Sequence, residues 1–121
     1  MGNPFVHVEL ATTDVKTAKE FYGSLFDWKL EDVDMGGGMT YTMIKVGDGT
    51  GGGMMKHPMP GQPSIWIAYI LVDNVKATTA KAKSMGATII RDVSDVPGMG
   101  SFAIVMDPTG AAIAFWQPVK K

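Results

Sequence analysis

The stretch Phe5-Val6-His7-Val8-Glu9-Leu10 sets an imidazole and a carboxylate two positions apart in an otherwise apolar run. Side chains of a β-strand alternate faces, so Val6, Val8 and Leu10 point one way and Phe5, His7 and Glu9 the other. The first set reads as core. Glutamate is seldom buried without a partner, so the second set meets water or lines a cavity. Two such groups on one strand face can reach one bound molecule, with Glu9 as general base and His7 as acid or hydrogen-bond donor. The alternative is a pair of interior polar groups satisfied by hydrogen bonds.

Little else in the chain competes for chemistry. With no cysteine there is no thiolate nucleophile, no disulfide and no Cys-ligated zinc, a composition that fits a cytoplasmic protein. The 11 Lys and Arg are scattered at a net charge of −1 and form no basic stripe, so no nucleic-acid partner is expected. The glycine runs at Gly36–Gly38 and Gly51–Gly53 lack the Lys-Ser/Thr of a phosphate loop and read as hairpin turns. No Ser/His/Asp set with a nucleophile turn is visible. The methionines are core filler or an adaptable surface, and Lys16, Lys19, Lys76, Lys81 and Lys83 are solvated helix charges. The apolar run Ile65–Val72 is too short to span a bilayer, and the first residues lack a signal pattern, so no membrane association is expected.

The elements that must position His7 and Glu9 follow from periodicity. After the first strand, Asp14 caps a helix over 14–26 with Val15, Ala18, Tyr22 and Leu25 on one face. Strands are predicted at 28–33, 40–46 and 52–56, and the proline-rich segment HPMPGQP reads as a linker. Beyond it SIWIAYILVD reads as a buried strand. Asn74 caps a second helix carrying Val75, Thr79, Ala82 and Met85 on one side, and Gly86 stands at its C-terminal stop. Strands at 87–91, 102–106 and 111–116 complete the chain, with DVPGMG and DPTG as turns.

In order this is β-α-β-β-β, a linker, and β-α-β-β-β again, an internal repeat. Asp14-Val15-Lys16 and Asn74-Val75-Lys76 open the two helices sixty residues apart, and Asp48-Gly49-Thr50-Gly51 echoes Asp107-Pro108-Thr109-Gly110 at a separation of 59. The expected organisation is a first module over 1–57, a linker over 58–64 and a second module over 65–121, sharing one compact domain.

His7, the Asp14 helix ending in Phe21-Tyr22, the exit Leu25-Phe26-Asp27-Trp28, the run Leu71-Val72-Asp73-Asn74-Val75 and the Asp107-Pro108-Thr109-Gly110 turn together resemble the vicinal oxygen chelate superfamily. Glyoxalase I, extradiol dioxygenases and the fosfomycin and bleomycin resistance proteins belong to it. The resemblance implies an α+β fold in which two βαβββ modules form a curled, incompletely closed mixed sheet around a cleft, commonly in a homodimer. It also implies metal-ligand positions on the first and last strand of each module. Here these fall on His7, its counterpart Ile67, Ala114, and Met54 or Met55. A catalytic divalent ion needs roughly three imidazole or carboxylate ligands, so no metal and no other cofactor is expected. A rearranged site from His7, Glu9 and His57 is the alternative.

On the same repeat, Glu9 corresponds to Tyr69. The reading is a largely apolar cleft with His7 and Glu9 as its polar groups and Met54, Ile67, Tyr69, Ala114 and Trp116 as ligand-binding wall. Trp66 and Trp28 are assigned to the core. Three functions follow: a metal-independent small-molecule binder like the bleomycin resistance proteins; a glyoxalase-related lyase or isomerase using Glu9 and His7; or an interaction domain with a vestigial cleft.

Overall fold

The computed structural model describes residues 2–34, 38–57 and 61–119. Among them the order is β1 (Phe5–Thr12), α1 (Val15–Leu25), β2 (Lys29–Asp34), β3 (Thr40–Lys45), β4 (Gly52–Lys56), β5 (Ile65–Leu71), α2 (Val75–Ser84), β6 (Thr88–Val96), β7 (Gly100–Met106) and β8 (Ala112–Pro118). This is an α+β fold of mixed sheet built from two βαβββ modules. Two compact units divide the chain: His7–Ile67, and Met1–Val6 with Ala68–Lys121. The central residues of the proline-rich linker, 58–60, and Gly36 and Gly37 of the first glycine run lie outside the described residues.

In the first unit the strands lie in the order β2-β3-β4-β1, antiparallel except that β1 and β4 run parallel, with Val8 opposite Gly52 and Glu9 opposite Gly53. Parallel neighbours need a crossover, and α1 provides it. Asp14 starts the helix: its carboxylate accepts from the Thr17 amide at 3.1 Å and the Thr17 hydroxyl at 2.7 Å, bonds that hold its pKa below the usual carboxylate value. Val15, Ala18 and Tyr22 pack on Leu10, Ile44 and Met54, with Trp28, Leu30 and Val46 around them. Leu25, expected on the same stripe, is 58% exposed. Lys19 ties α1 to β2 through Asp32 at 2.9 Å, and Asp32 also accepts from the buried Thr42 hydroxyl at 2.8 Å.

The second unit repeats the plan. Its strands lie in the order β5-β8-β7-β6, with β5 and β8 parallel and Tyr69 opposite Ala114. Asn74 caps α2 by accepting from the Ala77 amide at 3.0 Å, and the Gln117 side chain takes the Val75 amide at 2.8 Å. Val72, Val75 and Ala103 form the core here, with Val93 and Phe115 packed against them. Met85, placed on the buried side by its spacing, is exposed because α2 stops at Ser84 and Met85 is only its cap. Gly86 follows it with a φ of 102°, the left-handed stop that its position predicts.

Two expectations about strands and core need correction. β6 runs to Val96 instead of ending near Arg91, because two one-residue register shifts against β7 break the alternation that identifies a strand. Trp66 is 40% exposed and not core. It does meet Tyr22 and Trp28 in edge-to-face contacts, at centroid distances of 5.4 and 6.5 Å, on the rim of the first unit's core. Trp28 is half-buried against the core, as expected.

Candidate functional site

Register settles which side chains share the sheet face away from α1 in the first unit. Leu10, Met54 and Ile44 face the helix, so Glu9, Gly53 and Met43, aligned across β1, β4 and β3, point the other way with His7, Met55 and Tyr41. His7 and Glu9 do stand side by side, as their spacing requires. The residue that joins them is Tyr41. Its hydroxyl donates to Glu9 Oε1 at 2.9 Å and lies 2.7 Å from His7 Nε2. With Glu9 ionised, the one phenolic proton is committed to it, and this assigns the donor role to the imidazole with its proton on Nε2. The result is a directed chain: His7 N–H to Tyr41 O–H to Glu9 carboxylate. The His7 and Tyr41 rings lie nearly parallel, 22° apart.

Burial tunes the set. Glu9 is only 6% exposed, and His7 and Tyr41 are half-buried. Desolvation pushes the His7 pKa below its ordinary value, so the neutral donor is the form present near pH 7. A Cβ on Gly53 would collide with the Tyr41 ring and hydroxyl, so only glycine lets the ring lie across β4 to reach β1. Tyr41 escaped the sequence reading. A glycine inside a strand opposite an aromatic of the next strand was the available signal, but the run Gly51–Gly53 reads more simply as a turn.

The other predicted residues sit differently. The repeat position equivalent to Ala114 is neither methionine. Tyr69 pairs with Ala114 as Glu9 pairs with Gly53, so the counterpart is Gly53. Met54, fully buried, packs under α1 on the opposite face, which corrects its assignment to the ligand wall. Ile67, Tyr69 and Ala114 are buried, while Trp116 is half-buried. The rearranged His7, Glu9, His57 cluster is not assembled: among the described residues no three His, Cys, Asp or Glu lie close enough to hold a metal ion.

The family's ligand positions therefore carry one imidazole, from His7, and the aliphatic or absent side chains of Ile67, Ala114 and Gly53. That donor set does not fit a hard or borderline cation, and the His7 Nε2 is engaged by Tyr41. A surface depression of about 320 Å³ at the start of α2, lined by Asp73, Asn74, Val75 and Gln117 among others, holds no comparable chemistry. The Val75 amide there is already capped by Gln117.

A doubled βαβββ unit with parallel first and last strands, a helix on one face and a polar chain on the other, defines the class. The chain belongs to the Glyoxalase/Bleomycin resistance protein/Dioxygenase superfamily, whose family model matches residues 5–115. It is 36% identical over 110 residues to the Mycobacterium tuberculosis protein named "Putative glyoxylase CFP32", covering 91% of this chain and 42% of that protein. It is 28% identical over 123 residues to the Streptomyces peucetius "Anthracycline biosynthesis protein DnrV", covering 90% of this chain and 45% of that one. The chain thus spans less than half the length of these relatives. Among solved structures, hypothetical protein BH1468 from Bacillus halodurans superposes over 100% of this chain and 98% of its own with a TM-score of 0.70 at 19% identity. Methylmalonyl-CoA epimerase from Mycobacterium tuberculosis superposes over 96% and 88% with a TM-score of 0.67 at 15% identity. At these identities the likeness establishes the fold.

Proposed function

We propose that the chain binds a small organic molecule on the His7–Tyr41–Glu9 face of its first unit, without the metal centre used by other members of its family. The observation that carries this reading is the directed hydrogen-bond chain from His7 through Tyr41 to Glu9. It holds a nearly buried carboxylate in one orientation, flanked by Met43 and Met55, the usual make-up of a small-molecule site. The test is ligand capture by wild type and Glu9→Gln, read by mass spectrometry of co-purified molecules and a thermal-shift screen of a metabolite library. Wild type should bind saturably, and Glu9→Gln should keep its fold while losing affinity by roughly tenfold or more, the size of one charge-assisted hydrogen bond. Unchanged binding in Glu9→Gln sinks the reading. Zinc, nickel or manganese recovered at about one ion per chain would overturn its metal-free part.

The same chain supports a second reading, a lyase or isomerase in which Glu9 is the general base. A carboxylate that takes a proton from a carbon acid needs a partner to hold its charge beforehand and a route to return the proton. Tyr41, backed by the neutral His7, is placed for both. Solvent deuterium washed into a bound carbonyl compound at the carbon next to the carbonyl, and abolished in Glu9→Gln, distinguishes catalysis from sequestration. A cytoplasmic setting, supported by the cysteine-free composition, and self-association into a homodimer belong to this reading too. No helix among the described residues is long and apolar enough to cross a membrane.

A further inference from the structure

The sheet face of the second unit that points away from α2 carries an unusual arrangement. Ala103, Phe115 and Val93 face the helix, so Phe102, Ile104, Ala114 and Trp116 face the other way. Strict alternation along β6 from Ile89, which pairs with Val105, would send Arg91 to the helix side. A one-residue shift between Ile89 and Arg91 sets Arg91 opposite Ile104 instead, and a second shift before Ser94 sets that residue opposite Phe102. Bulges of this kind re-aim a side chain and gather near functional sites. Here they bring the Arg91 guanidinium over the Phe102 ring, 5.3 Å from its centroid.

Three facts make this cation available. Arg91 is exposed, and among the described residues no carboxylate pairs with it: the adjacent Asp92 accepts from the Val93 amide at 2.7 Å instead. Its Nε donates to Ser94 Oγ at 3.4 Å, and among the described residues no hydrogen bond occupies its terminal nitrogens. The half-buried Trp116 is the cross-strand neighbour of Phe102, and its indole covers Gly100, where a Cβ would come within 2.8 Å of it. Arg91 is also the sole arginine of a chain with ten lysines. Stacking on a ring while presenting a planar fork is what arginine does and lysine cannot.

We propose that Arg91, held over Phe102, recognises the carboxylate of a small organic acid whose apolar body lies against Phe102 and Trp116. This adds a second site, carried by the second unit's own residues, and it goes beyond the reading of the first unit's face. Phe102 supplies a face for acyl or aryl carbon and fixes the guanidinium so that little freedom is lost on binding.

Because there is one arginine, its Nε–Hε signal in an ¹⁵N spectrum of the full chain is unambiguous and reports the site directly. Titration with benzoate, phenylacetate and octanoate should shift that signal saturably, and benzyl alcohol should bind more weakly by roughly tenfold or more. Arg91→Lys, which keeps the charge and removes the fork, should weaken carboxylate binding by roughly tenfold, followed on the Trp116 indole signal. Silence of the Arg91 signal with all three acids, or equal affinity in Arg91→Lys, overturns the assignment. A response to inorganic phosphate as strong as that to the organic acids marks an adventitious anion contact and overturns it as well. If the acids move the His7 and Tyr41 signals while Arg91 stays silent, only this inference falls. If no side-chain signal moves, this inference falls, and the reading of the first unit's face is decided by its own Glu9→Gln test.

Discussion

The Tyr41 hydroxyl accepts from one β1 side chain and donates to another, so its position is fixed at both ends and depends on the space above Gly53. Gly53→Ala should therefore cost about 1–3 kcal/mol, the range for overpacking a well-fitted site. It should cost far less when Tyr41 is already alanine. A double-mutant cycle by urea unfolding checks this, and additive effects would mean that the crowding lies elsewhere. His7 gives a second prediction. Burial lowers its folded-state pKa below the ordinary 6.5, so the unfolded chain takes up its proton first as pH falls. Stability should be full above about 6.5, fall as pH drops from there through the lower folded-state pKa, and level off beneath it. His7→Gln keeps an N–H donor without a titration and should flatten this slope; parallel curves for the two proteins between pH 5 and 8 would refute it. The sequence discloses His7 and Glu9 because two polar groups interrupt an apolar strand. It hides Tyr41, since an aromatic in a strand looks like core until register shows which face it takes.

At the scale of elements, the caps and turns were the most legible features, because each is a local contract between a side chain and nearby amides. Asp14, Asn74 and Asp107 all accept backbone N–H groups where their spacing predicts. The two βαβββ modules followed from those caps and from strand alternation. What stayed hidden depends on pairing between strands: the bulges of β6, and the assignment of Gly53 rather than a methionine as the counterpart of Ala114. No local period encodes a one-residue slip. Helix α2 carries a flaw that the sequence does not announce. Thr79 is 5% exposed and, among the described residues, its hydroxyl has no hydrogen-bond partner. A buried polar group left unsatisfied costs about 1–3 kcal/mol, and valine has nearly the same shape. Thr79→Val should raise stability by roughly 1 kcal/mol in denaturant unfolding with no change at the His7–Tyr41–Glu9 face. A loss of stability would mean that the hydroxyl is bonded in solution.

For the whole molecule, association is governed by its sheet edges and its exposed apolar surface. An open sheet leaves edges that need cover, yet the outer strands protect themselves. β2 carries Lys29, Glu31, Asp32 and Asp34 along its length, and β6 is twice bulged and bears Arg91 and Asp92. Charges and bulges of this kind discourage edge pairing. The apolar surface lies elsewhere in the first unit: Phe21, Leu25, Phe26 and Trp66 are each between 40% and 58% exposed, and Tyr22 touches the rings of Phe21, Phe26 and Trp66. Aromatic patches of this sort mark association surfaces on proteins that otherwise stay dispersed. The occupant we favour is a second copy of the chain, the pairing that the family resemblance implies. Light scattering at micromolar concentration should then report two chains. Phe21→Glu, on the exposed side of α1, should shift the population to one chain while leaving the thermal transition of the folded unit in place. A wild type that is monomeric under those conditions, or a Phe21→Glu variant that still pairs, would remove this surface from consideration.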